Sequence, residues 1–291
     1  MRIVVIGLGH VGQLTWRMLE ADGHRVTGYD KADGTPYPVD EVAAADFAVI
    51  CVDTPPTAGG AADTRNVEAA VREVPKGPHV VLRSTVPPGT CAGLERELGR
   101  GMSHWPEYVG ETRFLAQQWP GLGPEGSFVV LGVGDGGRGF VEVLSHLYGP
   151  RAPLHLLTQT ESETVKYMEN TYFAVKVAFV NEWRRIAERL GADWFKVREA
   201  WLADPRVERD HSQAFAGAPG FDGKCLPKDL AAALAFGRDA GVKIPLLEAT
   251  QESNDVATGD AAVDPGVESP DDPAVDPAVD SAFDEDQPHG R

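Results

Sequence analysis

Positive charge is what this sequence has least of. Its 291 residues carry 27 Lys and Arg against 44 Asp and Glu, a formal net charge of -17. Such a surface repels phosphate backbones and anionic lipid, so neither nucleic acid nor membrane is an expected partner and a small molecule is. Cysteine is scarce too. Cys51, Cys91 and Cys225 show no close spacing, which argues against a disulfide framework and for a reducing, cytoplasmic setting. No apolar run is long enough to span a bilayer, and the opening segment reaches Gly7 too soon for a signal peptide. No metal site is expected.

The charge is also uneven. From Asp260 onward there are ten Asp or Glu and one Arg, so this end carries -9 of the -17 and the remainder -8. Its repeats of Asp-Pro-Ala-Val hold too little apolar surface to offset ordering entropy, and 257–291 is expected to be a disordered acidic tail. The rest has enough hydrophobic residues for two folded units.

Ile3 to Ile6, Arg25 to Tyr29, Phe47 to Val52, His79 to Leu82 and Phe128 to Leu131 read as buried strands alternating with helical stretches. That pattern predicts an α/β fold, a doubly wound parallel sheet over 1–155. From Glu161 to about Leu190 the spacing becomes helical, with Val165, Met168, Tyr172, Val175, Phe179 and Ile186 in register. A helix that long exceeds the needs of one small domain, so it should open an all-helical central domain over 156–256 and carry an interface. Further helical patterns start near Pro227 and near Leu246.

Gly7-Leu8-Gly9-His10-Val11-Gly12 follows the first strand and leads into an amphipathic helix. The glycines permit a tight turn, and the helix N-terminus turns its partial positive charge toward a pyrophosphate. Asp30 closes the second strand where a carboxylate accepts hydrogen bonds from ribose hydroxyls and repels a 2′-phosphate; Lys31 follows it. The cofactor expected is therefore NAD, in a Rossmann unit.

Cys225 stands just before a predicted helix with Pro227 in its first turn, and Lys224 and Lys228 flank it. A helix N-terminus and nearby cations stabilise a thiolate and make it a nucleophile. Asp229 lies one turn on, where a carboxylate can move protons. A buried structural cysteine is the alternative for an isolated Cys. Cys51 and Cys91, without such company, read as structural.

Several segments in order resemble the nucleotide-sugar 6-dehydrogenases, the UDP-glucose/GDP-mannose dehydrogenase family. They are Ser84-Thr-Val-Pro-Pro-Gly-Thr90, Trp105-Pro-Glu-Tyr-Val-Gly-Glu111, Glu163-Thr-Val-Lys166 with Asn170, Asn181-Glu182, Asp204-Pro-Arg206 and Gly220 to Asp229, spread over most of 1–256. The resemblance implies a twofold, NAD-dependent oxidation of a sugar C6 alcohol to a carboxylate, with Cys225 forming a thiohemiacetal and then a thioester. It implies that Lys166 and Asn170 stabilise oxyanions, that Asp229 and Lys166 handle the alcohol proton, that Glu107 is the base for thioester hydrolysis and that Thr85 helps to place water. It adds Thr54, Pro55, Ser84, Thr85 and Glu111 to the cofactor contacts, and Glu107, Tyr108, Glu111, Lys166, Asn170, Gly220 and Phe221 to the contacts with a nucleotide-sugar substrate. Arg206 resembles an arginine that reaches a neighbouring subunit's substrate, which implies a homodimer built on the long helix.

Taken singly, these residues have plainer readings: Lys166 and Asn170 as a solvated helix face, Glu107 and Glu111 as surface acids, Arg206 as a loop charge. The chain also departs from the family pattern. It enters its acidic segment near Ala257, where relatives continue into a second Rossmann-like domain that grips the nucleotide. The stretch between Asp30 and Ala45 is short, Asp222 replaces a glycine, and His10 and Asp53 stand where tyrosine and proline are usual. Two other classes therefore stay open: a single-step dehydrogenase of the two-domain β-hydroxyacid type, and a non-catalytic NAD-binding relative.

Overall fold

A computed structural model of the chain describes residues 1–108, 128–215 and 217–263. Seven strands form one sheet in the order β2-β1-β3-β4-β5-β6-β7. They are β1 (Arg2–Ile6), β2 (Arg25–Tyr29), β3 (Phe47–Ile50), β4 (His79–Leu82), β5 (Met102–His104), β6 (Val129–Gly132) and β7 (Leu154–Leu157). The first five run parallel, as expected, but β6 meets β5 antiparallel through the single pair His104 and Gly132, and β7 runs parallel to β6. Two of these strands, β5 and β7, have no counterpart in the sequence reading.

Alternate residues of the strands enter two cores, as a pleat with both faces covered requires. Val4, Ile6, Ala48, Ile50, Val80 and Leu82 pack on α3 (Arg65–Glu73) and α4 (Thr90–Leu98). Ile3, Val5, Val49, Val81 and Leu131 pack on α1 (His10–Ala21) and α5 (Arg138–Leu147), with Phe140, Trp105 and Leu144 fully enclosed. Each large apolar side chain so enclosed contributes about 1.5–3 kcal/mol. The short stretch after β2 supplies only a 3-10 turn, Lys31–Asp33, and the brief α2 (Val39–Ala43).

The long helix, α6, spans Gln159–Arg189. A capping box starts it: Glu161 N donates to Thr158 Oγ1 at 3.3 Å while Glu161 Oε2 accepts from Thr158 N at 2.8 Å. Its 31 residues extend about 46 Å at 1.5 Å each. After it come α7 (Trp194–Trp201), capped by Asp193, then α8 (Leu226–Asp239) and α9 (Pro245–Val263). Helix α9 runs past the boundary expected at Ala257; residues 264–291 lie outside the described residues. Among the described residues no helix is long and apolar enough to cross a membrane.

One side of α6 buries an unusual set of polar groups, among them Glu163, Lys166, Asn170 and Asn181. Another side exposes Met168, Tyr172, Phe179, Trp183, Ile186 and Leu190, the first 73% and the last 78% exposed.

Candidate active site

The turn from β1 into α1 has the shape a dinucleotide needs. Gly7 takes φ +91°, a region side chains rarely adopt, and a Cβ on Gly12 would stand 1.8 Å from Gly7 O, so neither position admits a larger residue. At Gly9, the N-cap of α1, a Cβ would meet no protein atom within 4 Å. Packing does not demand that glycine; space for a ligand at the helix N-terminus does. His10 is exposed and Val11 half-buried beside it. Asp30 stands at the end of β2, its Oδ2 accepting from Leu8 N at 2.6 Å and its Oδ1 from Ala32 N at 2.8 Å. The carboxylate thus holds the glycine turn itself, with Lys31 exposed alongside.

Thr54 and Ser84 close the other side of this crevice, after β3 and β4. Thr54 Oγ1 donates to Thr85 O at 2.8 Å and Ser84 Oγ to Val52 O at 2.6 Å, binding the two loops together. Pro55 is exposed at the rim, and Thr85 is half-buried.

Cys225 occupies the N-cap of α8 and is half-buried. One turn on, Asp229 N donates to Cys225 O at 2.9 Å, and the Asp229 side chain is almost fully enclosed. Its Oδ2 accepts from Asn170 Nδ2 at 2.6 Å, and its Oδ1 is paired with Lys228. Lys228 Nζ also lies 3.4 Å from Thr54 Oγ1. Paired with Asp229 and close to Thr54, the lysine ties the helical domain to the cofactor crevice. Lys166, buried on the same face of α6 as Asn170, places Nζ 5.1 Å over the ring of Tyr108. Tyr108 and Glu107 follow β5 and are half-buried, and burial raises the Tyr108 phenol far above its ordinary range.

Three polar residues hold this arrangement without having been assigned a role from sequence. Glu163, fully buried, accepts from Gly89 N at 2.6 Å and from Cys91 N at 2.7 Å, which pins α6 to the first turn of α4; burial pushes its carboxyl up to about 7. Asn181 Oδ1 accepts from Gly220 N at 3.0 Å. Asn254 on α9 brackets Phe221, accepting from its N at 2.7 Å and donating to its O at 3.0 Å. Only hydrogen bonds between residues distant in sequence reveal these roles; Glu163 and Asn181 stood inside recognised motifs, while nothing local marked Asn254.

Other expected members lie elsewhere. Arg206 is exposed and ion-paired with Asp204. Glu111 lies outside the described residues. Cys51 and Cys91 are held as thiols by burial, Cys51 at about 11 and Cys91 well above its ordinary value. Among the described residues no group of three His, Cys, Asp or Glu is placed to hold a metal.

Residues 35–104 match the NAD binding domain of the UDP-glucose/GDP-mannose dehydrogenase family, and residues 160–256 match its central domain. A UDP-glucose 6-dehydrogenase of Rhizobium meliloti (strain 1021) is 30% identical over 302 residues, covering 88% of this chain and 68% of the relative. The chain belongs to the UDP-glucose/GDP-mannose dehydrogenase family. Its relatives there include a GDP-mannose 6-dehydrogenase of Pseudomonas syringae pv. syringae, 28% identical, which covers 87% of this chain and 68% of that protein. A solved UDP-glucose dehydrogenase from the hyperthermophilic archaeon Pyrobaculum islandicum superposes with a TM-score of 0.75 at 31% identity, covering 87% of this chain and 68% of that one. This chain spans about two thirds of the length of these members. The family's enzymes are NAD-dependent oxidoreductases acting on alcohols, and the glycine turn, Asp30 and the open space at Gly9 fit that cofactor.

Proposed function

We propose that the chain is a nucleotide-sugar 6-dehydrogenase that oxidises a C6 alcohol twice, to the carboxylate, through a covalent bond to Cys225. The observation that carries this reading is the connected set of buried Asn170, buried Asp229 and half-buried Lys228, in which Asp229 stands one turn from Cys225 and Lys228 reaches Thr54 at the cofactor crevice. A single-step alcohol dehydrogenase has no use for a thiol there. The names of the relatives supply UDP-glucose and GDP-mannose as the substrates to try first.

NAD held by the Gly7 to Gly12 turn and Asp30 would supply the hydride acceptor for each oxidation. For the first, the alcohol proton passes to Asp229, directly or through water, with the Lys166 ammonium stabilising the charge that develops on the oxygen, and an aldehyde results. Cys225 sulfur then adds to the aldehyde carbon, with Lys166 and Asn170 facing the oxygen that gains charge. Loss of a second hydride and the hydroxyl proton turns that adduct into a thioester. Glu107 takes a proton from water as it attacks the thioester carbon; the carbon–sulfur bond breaks and the electron pair leaves on Cys225. Thr85 helps to place that water, and Tyr108, Gly220 and Phe221 line the sugar's position. Each turnover consumes one sugar nucleotide, two NAD and one water.

The exposed apolar side chains along α6 from Met168 to Leu190 fit a homodimer across this helix. In such a dimer the exposed Arg206 serves the partner's substrate.

The test is a count of NADH formed per sugar consumed, with UDP-glucose and with GDP-mannose. Two per sugar, lost in Cys225→Ala, supports the proposal. One per sugar that survives the substitution overturns it in favour of a single-step enzyme, and NAD binding without turnover identifies a non-catalytic relative.

A further inference from the structure

Among the described residues three arginines are buried: Arg83, Arg184 and Arg198. Arg184 pairs with Glu188 and Arg198 with Glu199, so those two charges are offset where they stand. The side chain of Arg83, directly after β4 and 2% exposed, has only neutral partners. Its Nε donates to Thr15 Oγ1 at 2.7 Å, and its guanidinium lies 3.6 Å over the ring of the enclosed Trp105. Its Nη1 is sealed from solvent without a hydrogen-bond partner. A guanidinium does not deprotonate in a protein, so a full positive charge is held here with no carboxylate against it. Such a charge is costly to bury and calls for an anion that arrives later.

The bond to Thr15 leads to the cofactor turn. Thr15 lies on α1, and its hydroxyl donates to Val11 O at 2.7 Å, which places the guanidinium two hydrogen bonds from the Gly7 to Gly12 turn. Thr15 is six residues beyond Gly9, roughly 9 Å along the axis at 1.5 Å per residue, and Gly9 is where a ligand finds open space. The charge is felt at the neighbouring strand ends: burial raises the Cys51 thiol after β3 and the Tyr108 phenol after β5, and Arg83 opposes both shifts. A chain of net charge -17 repels an anionic cofactor from a distance. A cation enclosed beside α1 acts in the opposite sense, and salt in the solvent screens it little.

We propose that Arg83 is a positioning residue for the cofactor, an internal counter-charge that draws the pyrophosphate onto the N-terminus of α1 without touching it. The helix end supplies a partial charge there, and Arg83 adds a whole one from inside the protein. At roughly 10 Å and an effective dielectric of about 20, its attraction for one phosphate charge is worth about tenfold in affinity. Trp105 holds the guanidinium where a carboxylate would neutralise it. This needs only the cofactor site, and it stands whether the chain oxidises its substrate once, twice or not at all.

Binding to the full chain without substrate tests it. ADP-ribose carries the pyrophosphate and lacks the nicotinamide charge, while adenosine carries neither; calorimetry follows the first and ligand-observed NMR the second. Arg83→Met should weaken ADP-ribose by about tenfold and leave adenosine within about twofold, and Arg83→Lys, which keeps the charge, should recover most of the loss. The ratio of wild-type to Arg83→Met affinity should hold steady from about 0.05 to about 0.5 M salt, because the charge is enclosed. Equal losses for the two ligands, a lysine variant no better than the methionine one, or a ratio that collapses in salt each overturn the proposal. Should Arg83→Met fail to fold by its melting curve, Arg83→Gln, which can still donate to Thr15, takes its place in every comparison.

Discussion

Asn170 and Asp229 come from different helices and share a hydrogen bond of 2.6 Å, while the other oxygen of Asp229 is committed to Lys228. Both oxygens of a nearly inaccessible carboxylate are thus oriented before any substrate arrives. Asp229→Asn keeps the shape but turns an amide donor toward Asn170 or Lys228. We expect kcat to fall by about 10²–10⁴-fold, the usual worth of a positioned acid or base, with KM little changed. Steady-state kinetics check this, and a loss confined to KM sinks the assignment.

Asp30 has two tasks, since the carboxylate that is to meet the ribose also accepts from Leu8 N. Asp30→Ala should weaken NAD binding by roughly 10–100-fold, the value of one hydrogen bond to a charged group, and relax discrimination against NADP. Calorimetric titration with both cofactors measures the two effects. Unchanged affinity for NAD would place the ribose elsewhere.

Placing Glu at both Met168 and Trp183 puts charge in the exposed apolar stripe of α6 without touching its buried face. Sedimentation equilibrium should show a dimer for the wild type and a monomer for this double variant. A wild type that sediments at 31.2 kDa contradicts the interface.

Stability should fall in acid, with a sign that two kinds of group decide. Burial lowers His79 from 6.5 to about 4 and His104 from 6.5 to about 3, so the unfolded chain binds those protons first; their stability is complete above 6.5 and is lost as pH falls toward 4 and 3. Glu163 acts oppositely. Raised from 4.5 to about 7, it contributes stability that is complete below 4.5 and lost as pH rises to 7. Between 4.5 and 6.5 two histidines outweigh one carboxyl. Urea midpoints of the wild type should therefore fall over that window, and those of Glu163→Gln should fall more steeply; a shallower slope in the variant contradicts the raised carboxyl.

The loop before Cys225 turns at Gly220, which takes φ +77° and where a Cβ would lie 2.6 Å from Asn254 Oδ1. Gly220→Ala strains the backbone and displaces the side chain that brackets Phe221. Asn254→Ala removes the bracket alone. Both should raise KM for the sugar nucleotide with NAD affinity intact, Gly220→Ala more strongly, as separate titrations of the two ligands will show.

Much of this was legible in the chain because it is written locally. The Gly7 to Gly12 turn, the apolar runs of β1 to β4 and the helical spacing of α6 each depend on neighbours in sequence. What escaped reading depends on neighbours in space. Strand β5 is three residues, Met-Ser-His, whose polar members are buried by contacts to His79 and Ser162 and not by any pattern of their own. Strand β7 is an edge with partly exposed residues, joined to the sheet only through β6. The supporting roles of Glu163, Asn181 and Asn254 were unreadable for the same reason, although the first two stood in recognised segments: each satisfies backbone groups 33 to 74 residues away.

The contact from Lys228 to Thr54 has a practical consequence for anyone recombining such proteins. A chimera joined between the sheet and α6 would inherit its thiol from one parent and its cofactor crevice from the other, with the lysine and the threonine no longer selected together. Graft borders that carry the loop after β3 along with the first turn of α8 should retain coupling between the two ligands, whereas borders that follow the apparent domain boundary should yield proteins that bind each ligand and connect neither to the other.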